Sequence, residues 1–223
     1  MKLIMKGEIY EIIADSSGLL FSYFDGYDED GNLTASFKMI SRDNTEPTVI
    51  HKDIYKLSKY GANYTKILKH CPNYILAKGV LLSDGKAFIV NSDGTAILFD
   101  GEGEIMWTGT LKYKNRVPDD IALTPEGLWG TFSDFDAVVR FNATSMREEL
   151  RIGKKGQILN TPKGIFAEQG ALYVASHDSK KVIRIDLPGY KTTELYTFSE
   201  PVYSYVKVQN KEYVLLESGL YEI

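Results

Sequence analysis

Residues 161–186, "TPKGIFAEQGALYVASHDSKKVIRID", contain the pattern that decides the fold. Short apolar runs of strand length lie on either side of a turn at Gly170 and again on either side of a polar bend at residues 177–180. Side chains alternate along each run, but both sets are largely apolar, which is typical of strands buried on two faces. The stretch therefore predicts a small antiparallel sheet that needs neighbours on both sides.

The same unit recurs along the chain. Residues 118–142, "PDDIALTPEGLWGTFSDFDAVVRFN", match it 44 residues earlier, with a proline, an isoleucine, an aromatic residue and an arginine in corresponding places. Across five such units the corresponding positions are Ile13, Val80, Ile121, Ile165 and Tyr205, separated by 67, 41, 44 and 40 residues. A period of this length built from short strands indicates a β-propeller, in which each sheet is a blade that packs on its neighbours.

Five units predict an all-β, single β-propeller domain of five blades over residues 1–223. The long first interval contains an insertion around "DGYDEDGN", and a sixth, degenerate blade within residues 46–72 is the alternative. Essentially no helix is expected, because the best helical candidate, residues 52–70, is broken by Gly61. The last unit has three strands, so "KLIMK" at residues 2–6 is expected to close the ring as its fourth.

The motifs "PKGI", "GALYVA" and "VIRID" resemble a blade of the NHL/YVTN-type β-propeller repeat superfamily, and "PDDI", "GLWGT" and "VVRFN" form a fainter copy. The resemblance is clearest over residues 76–200. These motifs specify strand packing, so they imply a fold and leave the activity open.

Composition narrows the classes of partner. The net charge of −4 gives no general attraction to nucleic acid or anionic lipid. No apolar stretch has the length of a membrane helix, and residues 1–13 contain neither an apolar stretch of signal-peptide length nor a small-residue cleavage site. Cys71 is the single cysteine, so an intramolecular disulfide is impossible. A cytoplasmic monomer without nucleic-acid or membrane partners is the expectation.

The candidate site follows from the propeller. Innermost strands line a central channel, and polar residues beside the five repeat positions should meet at one mouth of that channel. These ligand-binding candidates are Glu11, Lys78, Asp119, Asp120, Lys163 and Tyr203. The set mixes three acids with two lysines. It is either a group of solvated charges that compensate one another or a pocket for a small molecule or a protein partner.

An enzyme is the alternative. The resemblance also extends to metal-dependent lactonases of the gluconolactonase type, in which inner-strand oxygen atoms hold a hard cation. Glu11, Asp119 and Asp120 would be suitable ligands, but Lys163 stands where that resemblance requires Asp or Asn. A fixed ammonium group repels a cation, so the sequence predicts no bound metal and no cofactor, and the catalytic residues of such an enzyme are unknown.

Other motifs carry little functional signal. There is no phosphate-binding loop, zinc-protease motif or nucleophile elbow. His70 beside Cys71 predicts a buried structural cysteine, and His177-Asp178-Ser179 predicts a turn. Trp129 is expected in a blade core, and Trp107 on an outer strand, either in the core or on the surface as an anchor for a protein partner.

Two charged segments are expected to be solvated. The acidic stretch with Asp25, Asp28, Asp30 and Asn32 lacks the downstream glutamate of a calcium loop and predicts a hairpin tip. The basic residues Arg147, Arg151, Lys154 and Lys155 are interrupted by glutamates and predict a surface loop.

Overall fold

The computed structural model describes residues 1–29, 33–44, 46–71, 76–82, 84–142, 145–153 and 158–223. Within these residues, five four-stranded antiparallel sheets form a ring, so the chain is a five-bladed β-propeller. The prediction of the fold class and of five blades is confirmed.

Each blade has four strands, ordered from the inner strand outward. Blade 1 consists of β2 (Ile9–Asp15), β3 (Gly18–Tyr27), β4 (Leu33–Ser41) and β5 (Thr48–Val49). Blade 2 consists of β6 (Lys78–Leu81), β7 (Ala87–Val90), β8 (Thr95–Phe99) and β9 (Ile105–Thr110). Blade 3 consists of β10 (Asp120–Thr124), β11 (Gly127–Phe132), β12 (Ala137–Phe141) and β13 (Glu148–Ile152). Blade 4 consists of β14 (Pro162–Glu168), β15 (Ala171–Ser176), β16 (Lys181–Asp186) and β17 (Thr192–Thr197). Blade 5 consists of β18 (Val202–Val208), β19 (Lys211–Leu216), β20 (Gly219–Glu222) and β1 (Lys2–Lys6).

Strand β15 shows why both sets of alternating side chains are apolar. Leu172 and Val174 belong to the core between blades 3 and 4, where they pack with Trp129. Tyr173 and Ala175 belong to the core between blades 4 and 5. Each face of the blade is thus buried against a different neighbour, and the expectation that Trp129 lies in a blade core is confirmed, since it is fully buried.

The ring closes as expected from the sequence. Strand β1 pairs antiparallel with β20, with Lys2 opposite Glu222 and Lys6 opposite Gly219. Gly219 sits at this seam with φ of 149°, and a Cβ there would lie 2.2 Å from the Met5 carbonyl oxygen. A side chain at this position would therefore separate the two strands that close the ring.

A helical segment lies between blades 1 and 2, contrary to the expectation of essentially no helix. It contains α1 (Lys52–Tyr60), α2 (Tyr64–Ile67) and a single 3₁₀ turn at Leu68–His70. Residues 46–72 therefore do not form a sixth blade over their described part, 46–71. We call residues 50–71 the helical wedge.

The wedge packs against both neighbouring blades. Tyr55 packs with Leu20 and Phe37 of blade 1. On the other side, the core formed with blade 2 contains Tyr60, Ile67, Cys71, Ala87, Ile89 and Phe99. The wedge therefore buries blade faces that elsewhere in the ring are buried by the adjacent blade.

Local sequence explains why α1 begins and ends where it does. The His51 ring accepts a hydrogen bond from the Asp53 backbone N–H at 3.3 Å, which caps the first turn. Gly61 ends the helix with φ of 80°, and its N–H donates to the Leu57 carbonyl at 2.8 Å. Gly61 is thus the stop signal of a real helix, whereas the sequence pattern had indicated an interruption that excluded one.

The charged segments agree in part with expectation. Asp25 and Asp28 are exposed near the β3–β4 hairpin tip, as predicted, while Asp30 and Asn32 lie outside the described residues. The surface-loop prediction is wrong for Arg151, because it lies in β13 and donates a hydrogen bond to the Phe135 carbonyl at 3.0 Å. Arg147 is exposed just before β13, and Lys154 and Lys155 lie outside the described residues.

Candidate functional site

A cavity of about 480 Å³ lies in the central channel and is lined by residues of all five inner strands. Because the inner strands of all five blades run in the same direction, their first residues share one mouth of the channel. All six residues expected from the sequence line this cavity: Glu11, Lys78, Asp119, Asp120, Lys163 and Tyr203. Their meeting follows directly from their equivalent positions in the repeat.

Glu11 is held by the helical wedge. Its Oε2 atom accepts a hydrogen bond from Lys59 Nζ at 2.6 Å and another from the Tyr55 hydroxyl. The side chains of Lys59 and Glu11 are 2% and 17% exposed, so this ion pair is largely withdrawn from water. Burial alone would raise the pKa of Glu11, but Lys59, Lys78 and the two hydrogen bonds together lower it below its ordinary value. Glu11 is therefore an anion at neutral pH.

The partners of Glu11 have pKa values shifted by the same surroundings. Burial lowers the pKa of Lys59, and the Glu11 charge opposes that change. Burial and the Glu11 charge both raise the pKa of Tyr55 well above its ordinary value, so this hydroxyl stays protonated and donates. Sequence reasoning missed Tyr55 and Lys59 because they lie outside the repeat. A signal for them was the capping pattern of a helix, with His51 at the start and Gly61 at the end.

Asp119 and Lys163 form an ion pair between blades 3 and 4. Lys163 Nζ lies 2.8 Å from Asp119 Oδ1 and 3.3 Å from the Ser133 hydroxyl oxygen. The second carboxylate oxygen of Asp119 accepts the Ser133 backbone N–H at 2.8 Å. The ammonium group of Lys163 thus contacts the Asp119 carboxylate, which a metal at this site would need as a ligand.

Asp120 faces the backbone of the next blade. Its Oδ2 atom accepts the Ile165 N–H at 3.0 Å, and its Oδ1 atom accepts the Ile121 N–H at 2.9 Å. Burial raises the pKa of Asp120 to about 6, although Lys78 and these N–H groups act in the opposite direction. The residue at the equivalent position of blade 4 is Gly164, where a Cβ would lie 2.6 Å from the Tyr203 carbonyl oxygen. A side chain is thus accommodated at this position in blade 3 but not in blade 4.

Lys78 differs from the other two lysines of the cavity. Lys59 and Lys163 each form a salt bridge, but no carboxylate among the described residues lies within salt-bridge distance, 4.0 Å, of Lys78 Nζ. Its charge still acts on Glu11, Lys59 and Asp120. Lys78 therefore supplies a positive charge that forms no salt bridge with a carboxylate of the described residues.

Tyr203 is 40% exposed at the rim and stacks edge-on against His177, with ring centroids 4.6 Å apart. His177 and Asp178 occupy the turn between β15 and β16, as expected, and His177 Nδ1 lies 2.5 Å from Asp178 Oδ1. The Asp178 carboxylate also accepts the Thr161 hydroxyl at 2.6 Å. Hydrogen bonds from Thr161 and His177 lower the pKa of Asp178, so it serves as an anchor for the turn.

A second cavity of about 410 Å³ adjoins the first at Asp119 and Lys163, which line both. Its other polar lining residues are Ser92, Asn115, Arg116, Ser133 and Asp134. Arg116 and Asp134 pair with each other at 2.7 Å. The ion pair of Asp119 with Lys163 therefore stands between two neighbouring spaces at the same end of the propeller.

Two further candidates have structural roles. Cys71 is 2% exposed, and burial raises the pKa of its thiol to about 11, which makes it a poor nucleophile. Trp107 lies on the outer strand β9, as expected, and is half-buried against Phe88, with ring centroids 6.4 Å apart. Within the described part of the chain, no cluster of three or more His, Cys, Asp or Glu side chains is arranged to hold a metal ion. No described helix is long and apolar enough to cross a membrane.

Comparison with known proteins finds similarity in fold alone. No sequence-family model and no curated protein sequence matches this chain. A crystal structure of a protein of unknown function from Bacteroides caccae aligns with a TM-score of 0.57 and 16% identity, covering 97% of this chain and 77% of that one. Streptogramin B lyase aligns with a TM-score of 0.53 and 12% identity, covering 97% of this chain and 83% of that one. These similarities confirm the β-propeller fold that the repeat motifs implied, and at this level of identity they show the fold alone.

Proposed function

We propose that this protein is a non-catalytic propeller that binds a small molecule in the cavity at the channel mouth. The observation that carries the proposal is the convergence of charged side chains from four blades and the wedge on one space of about 480 Å³. Cavities that hold small ligands span roughly 300–1,000 Å³ and combine apolar walls with a few polar groups. This cavity has both features.

The contacts of the acids favour binding over metal-dependent hydrolysis. A hard cation needs several free oxygen ligands. Glu11 and Asp119 already hold ammonium groups, and both oxygens of Asp120 accept backbone N–H groups. A metal would have to displace all these donors, so the contacts support a lactonase-type hydrolase less well than a binding protein.

The cavity also favours a small molecule over a protein partner. The surface alternative is the outer strand of blade 2, where Ile105 and Met106 are exposed beside Trp107. The Trp107 ring is partly buried and packs against the core of blades 2 and 3. A partner would gain less from this ring than from a free aromatic side chain.

A thermal-shift screen tests the proposal. Wild-type protein, the double variant Asp119→Asn/Lys163→Met and the control Trp107→Ala would be screened against a library of small carboxylates, amines, sugars and nucleosides. We expect compounds that raise the melting temperature of the wild type and of Trp107→Ala but not of the double variant. Hits that stabilise the double variant equally would overturn the site. Absence of hits in all three proteins, with a protein bound from a lysate only when Trp107 is present, would favour the protein-partner alternative.

Divalent cations provide the second arm of the test. After dialysis against a chelator, titration with Ca²⁺, Mg²⁺ or Zn²⁺ is expected to leave the wild-type melting temperature unchanged. A saturable increase that disappears in Glu11→Gln would contradict non-catalytic binding and favour the hydrolase.

A further inference from the structure

Lys78 is the feature of the cavity that indicates the chemistry of its ligand. The charges of Glu11 and Lys59 neutralise each other, as do those of Asp119 and Lys163. The oxygens of Asp120 are turned to the N–H groups of Ile121 and Ile165. Among the described residues, the ammonium group of Lys78 is thus the cavity's one charge without a partner at hydrogen-bond or ion-pair distance.

An unpaired ammonium group in a partly enclosed space favours an anion. Transferring it from water is costly unless an opposite charge approaches, and a bound carboxylate would supply that charge together with hydrogen bonds. A cation would instead meet Lys78, would have to compete with Lys59 and Lys163 for Glu11 and Asp119, and would have to displace two backbone N–H groups from Asp120. Lys78 can therefore pair directly with one singly charged anionic group.

The wall beyond the charged mouth is apolar. The cavity is lined further along the inner strands by Ile12, Val80, Ile121, Ile165 and Val206. Four of these positions lie one or two residues after a charged residue, and Val206 lies three residues after Tyr203, so the lining changes from polar to apolar within about 10 Å along each strand. A ligand that fits this gradient has an anionic head and a hydrocarbon body.

We propose that the cavity binds an amphipathic monocarboxylic acid, with its carboxylate on Lys78 Nζ and its hydrocarbon chain directed into the channel. The inference rests on the proposed function, because it assigns a ligand class to the same site. It gives separate roles to the lysines: Lys59 and Lys163 hold Glu11 and Asp119 in the cavity wall, so that loss of either pair changes the shape and charge of the site, and Lys78 contacts the carboxylate of the ligand.

Isothermal titration calorimetry with defined probes tests the proposal. Octanoate, butanoate, octan-1-ol and octylamine would be titrated into the wild type, Lys78→Met, Lys78→Arg and the control Lys191→Met, which removes an exposed lysine just before the outer strand β17. We expect octanoate to bind at least tenfold tighter than butanoate, since each buried methylene contributes up to about fourfold. Octylamine should not bind measurably. Lys78→Met should weaken octanoate binding at least tenfold, while Lys78→Arg and Lys191→Met stay within threefold of the wild type.

A measurement on the wild type alone keeps the proposal testable even if Lys78→Met does not fold. Methyl-labelled isoleucine spectra of the wild type should show shifts at Ile121 and Ile165 on addition of octanoate. Equal octanoate affinity in Lys78→Met, tighter binding of octylamine, or absence of isoleucine shifts would each overturn the ligand class. If one of these results appears while library compounds still bind and are lost in Asp119→Asn/Lys163→Met, the proposed function stands and the carboxylic acid is wrong.

Discussion

The interface between blades 4 and 5 and the gap between blades 1 and 2 bury comparable sheet faces by different means. Between blades 4 and 5, Tyr173 and Ala175 of one sheet meet Tyr205 and Val214 of the next in an apolar core. Between blades 1 and 2, the helical wedge stands in the gap and packs Tyr55 on one sheet and Tyr60 on the other. The wedge also brings a buried lysine to the channel, which the repeat does not.

The difference shows what repetition can and cannot supply. The repeat places one equivalent side chain of each blade at the channel mouth, and neighbouring blades can pair those side chains, as Asp119 and Lys163 do. Only a non-repeating segment places a second residue behind one of them. Lys59 and Tyr55 hold Glu11 from behind, so the wedge side of the cavity is the more strongly organised side.

The largest expected effect tests whether the ring or the wedge holds the fold together. Deleting residues 1–6 removes β1 and exposes β20 as an open edge in blade 5. If residues 1–223 form one cooperative domain, as we propose, the deletion should cost several kcal/mol or abolish folding. Urea denaturation followed by circular dichroism measures this. An unchanged midpoint would show that closure contributes little and that the wedge dominates.

Two ion pairs at the same cavity sharpen the comparison. Lys59→Met removes a buried partner from Glu11 and should cost about 3–5 kcal/mol in the free energy of unfolding. Lys163→Met breaks a pair whose side chains are 35% and 23% exposed, and should cost no more than about 1 kcal/mol. Urea unfolding of both variants, with Glu11→Gln/Lys59→Met to measure the coupling, separates them. Equal costs would mean that the buried ion pair of the wedge contributes no more to the free energy of unfolding than the more exposed ion pair between blades 3 and 4.

An effect smaller than those of the β1 deletion and of Lys59→Met concerns the pH dependence of stability. Because the pKa of Asp120 is raised to about 6, the folded protein holds this proton more tightly than the unfolded chain. The protonated Asp120 carboxyl therefore contributes stability that is fully present below about pH 4 and is lost as the pH rises through about 6. Relative to Asp120→Asn, the wild type should lose on the order of 2 kcal/mol between pH 4 and 7.

Asp84→Asn is the control for this pH series. Hydrogen bonds from Lys86 lower the pKa of Asp84, so its contribution to stability is present above the ordinary aspartate pKa of about 4 and is lost only as the pH falls below that value. Between pH 4 and 7 the wild type should therefore change little relative to this variant, and unfolding measured at half-unit pH steps gives both profiles. A flat difference for Asp120→Asn would show that the carboxyl is solvated.

Much of the architecture could be predicted because the repeat carries it. The equivalent positions Ile121 and Ile165 lie on inner strands with the same direction, so the polar residues beside them had to share one mouth of the channel. Closure by residues 2–6 followed from the missing fourth strand of the last unit. These inferences needed only spacing and the rule that a ring leaves no open edge.

The wedge could not be predicted from apolar periodicity because its pattern is inverted. Ile54 and Leu57 are 44% and 48% exposed, whereas Lys59 is buried. Tyr55 and Tyr60 are buried as an apolar pattern predicts, but the same pattern places the lysine outside and the leucine inside, so it assigns part of the core face wrongly. The separate role of Lys78 was equally hidden, since its sequence position matches that of Lys163 and only the three-dimensional contacts distinguish a paired lysine from an unpaired one.

The pairing of β1 with β20 has a consequence for the order of folding. Strand β1 precedes blades 1 to 4 in the chain, whereas the other three strands of its own blade follow them. During synthesis β1 has no partner until more than 200 residues of chain have followed it, whereas blades 2, 3 and 4 each form from contiguous sequence. Contacts at such sequence separation form slowly, because the loop they close is long. Propeller closure should therefore be the last and slowest step of folding. Until β1 pairs with it, the edge of β20 is unpaired, and it is the part of the chain that a chaperone would need to protect from aggregation.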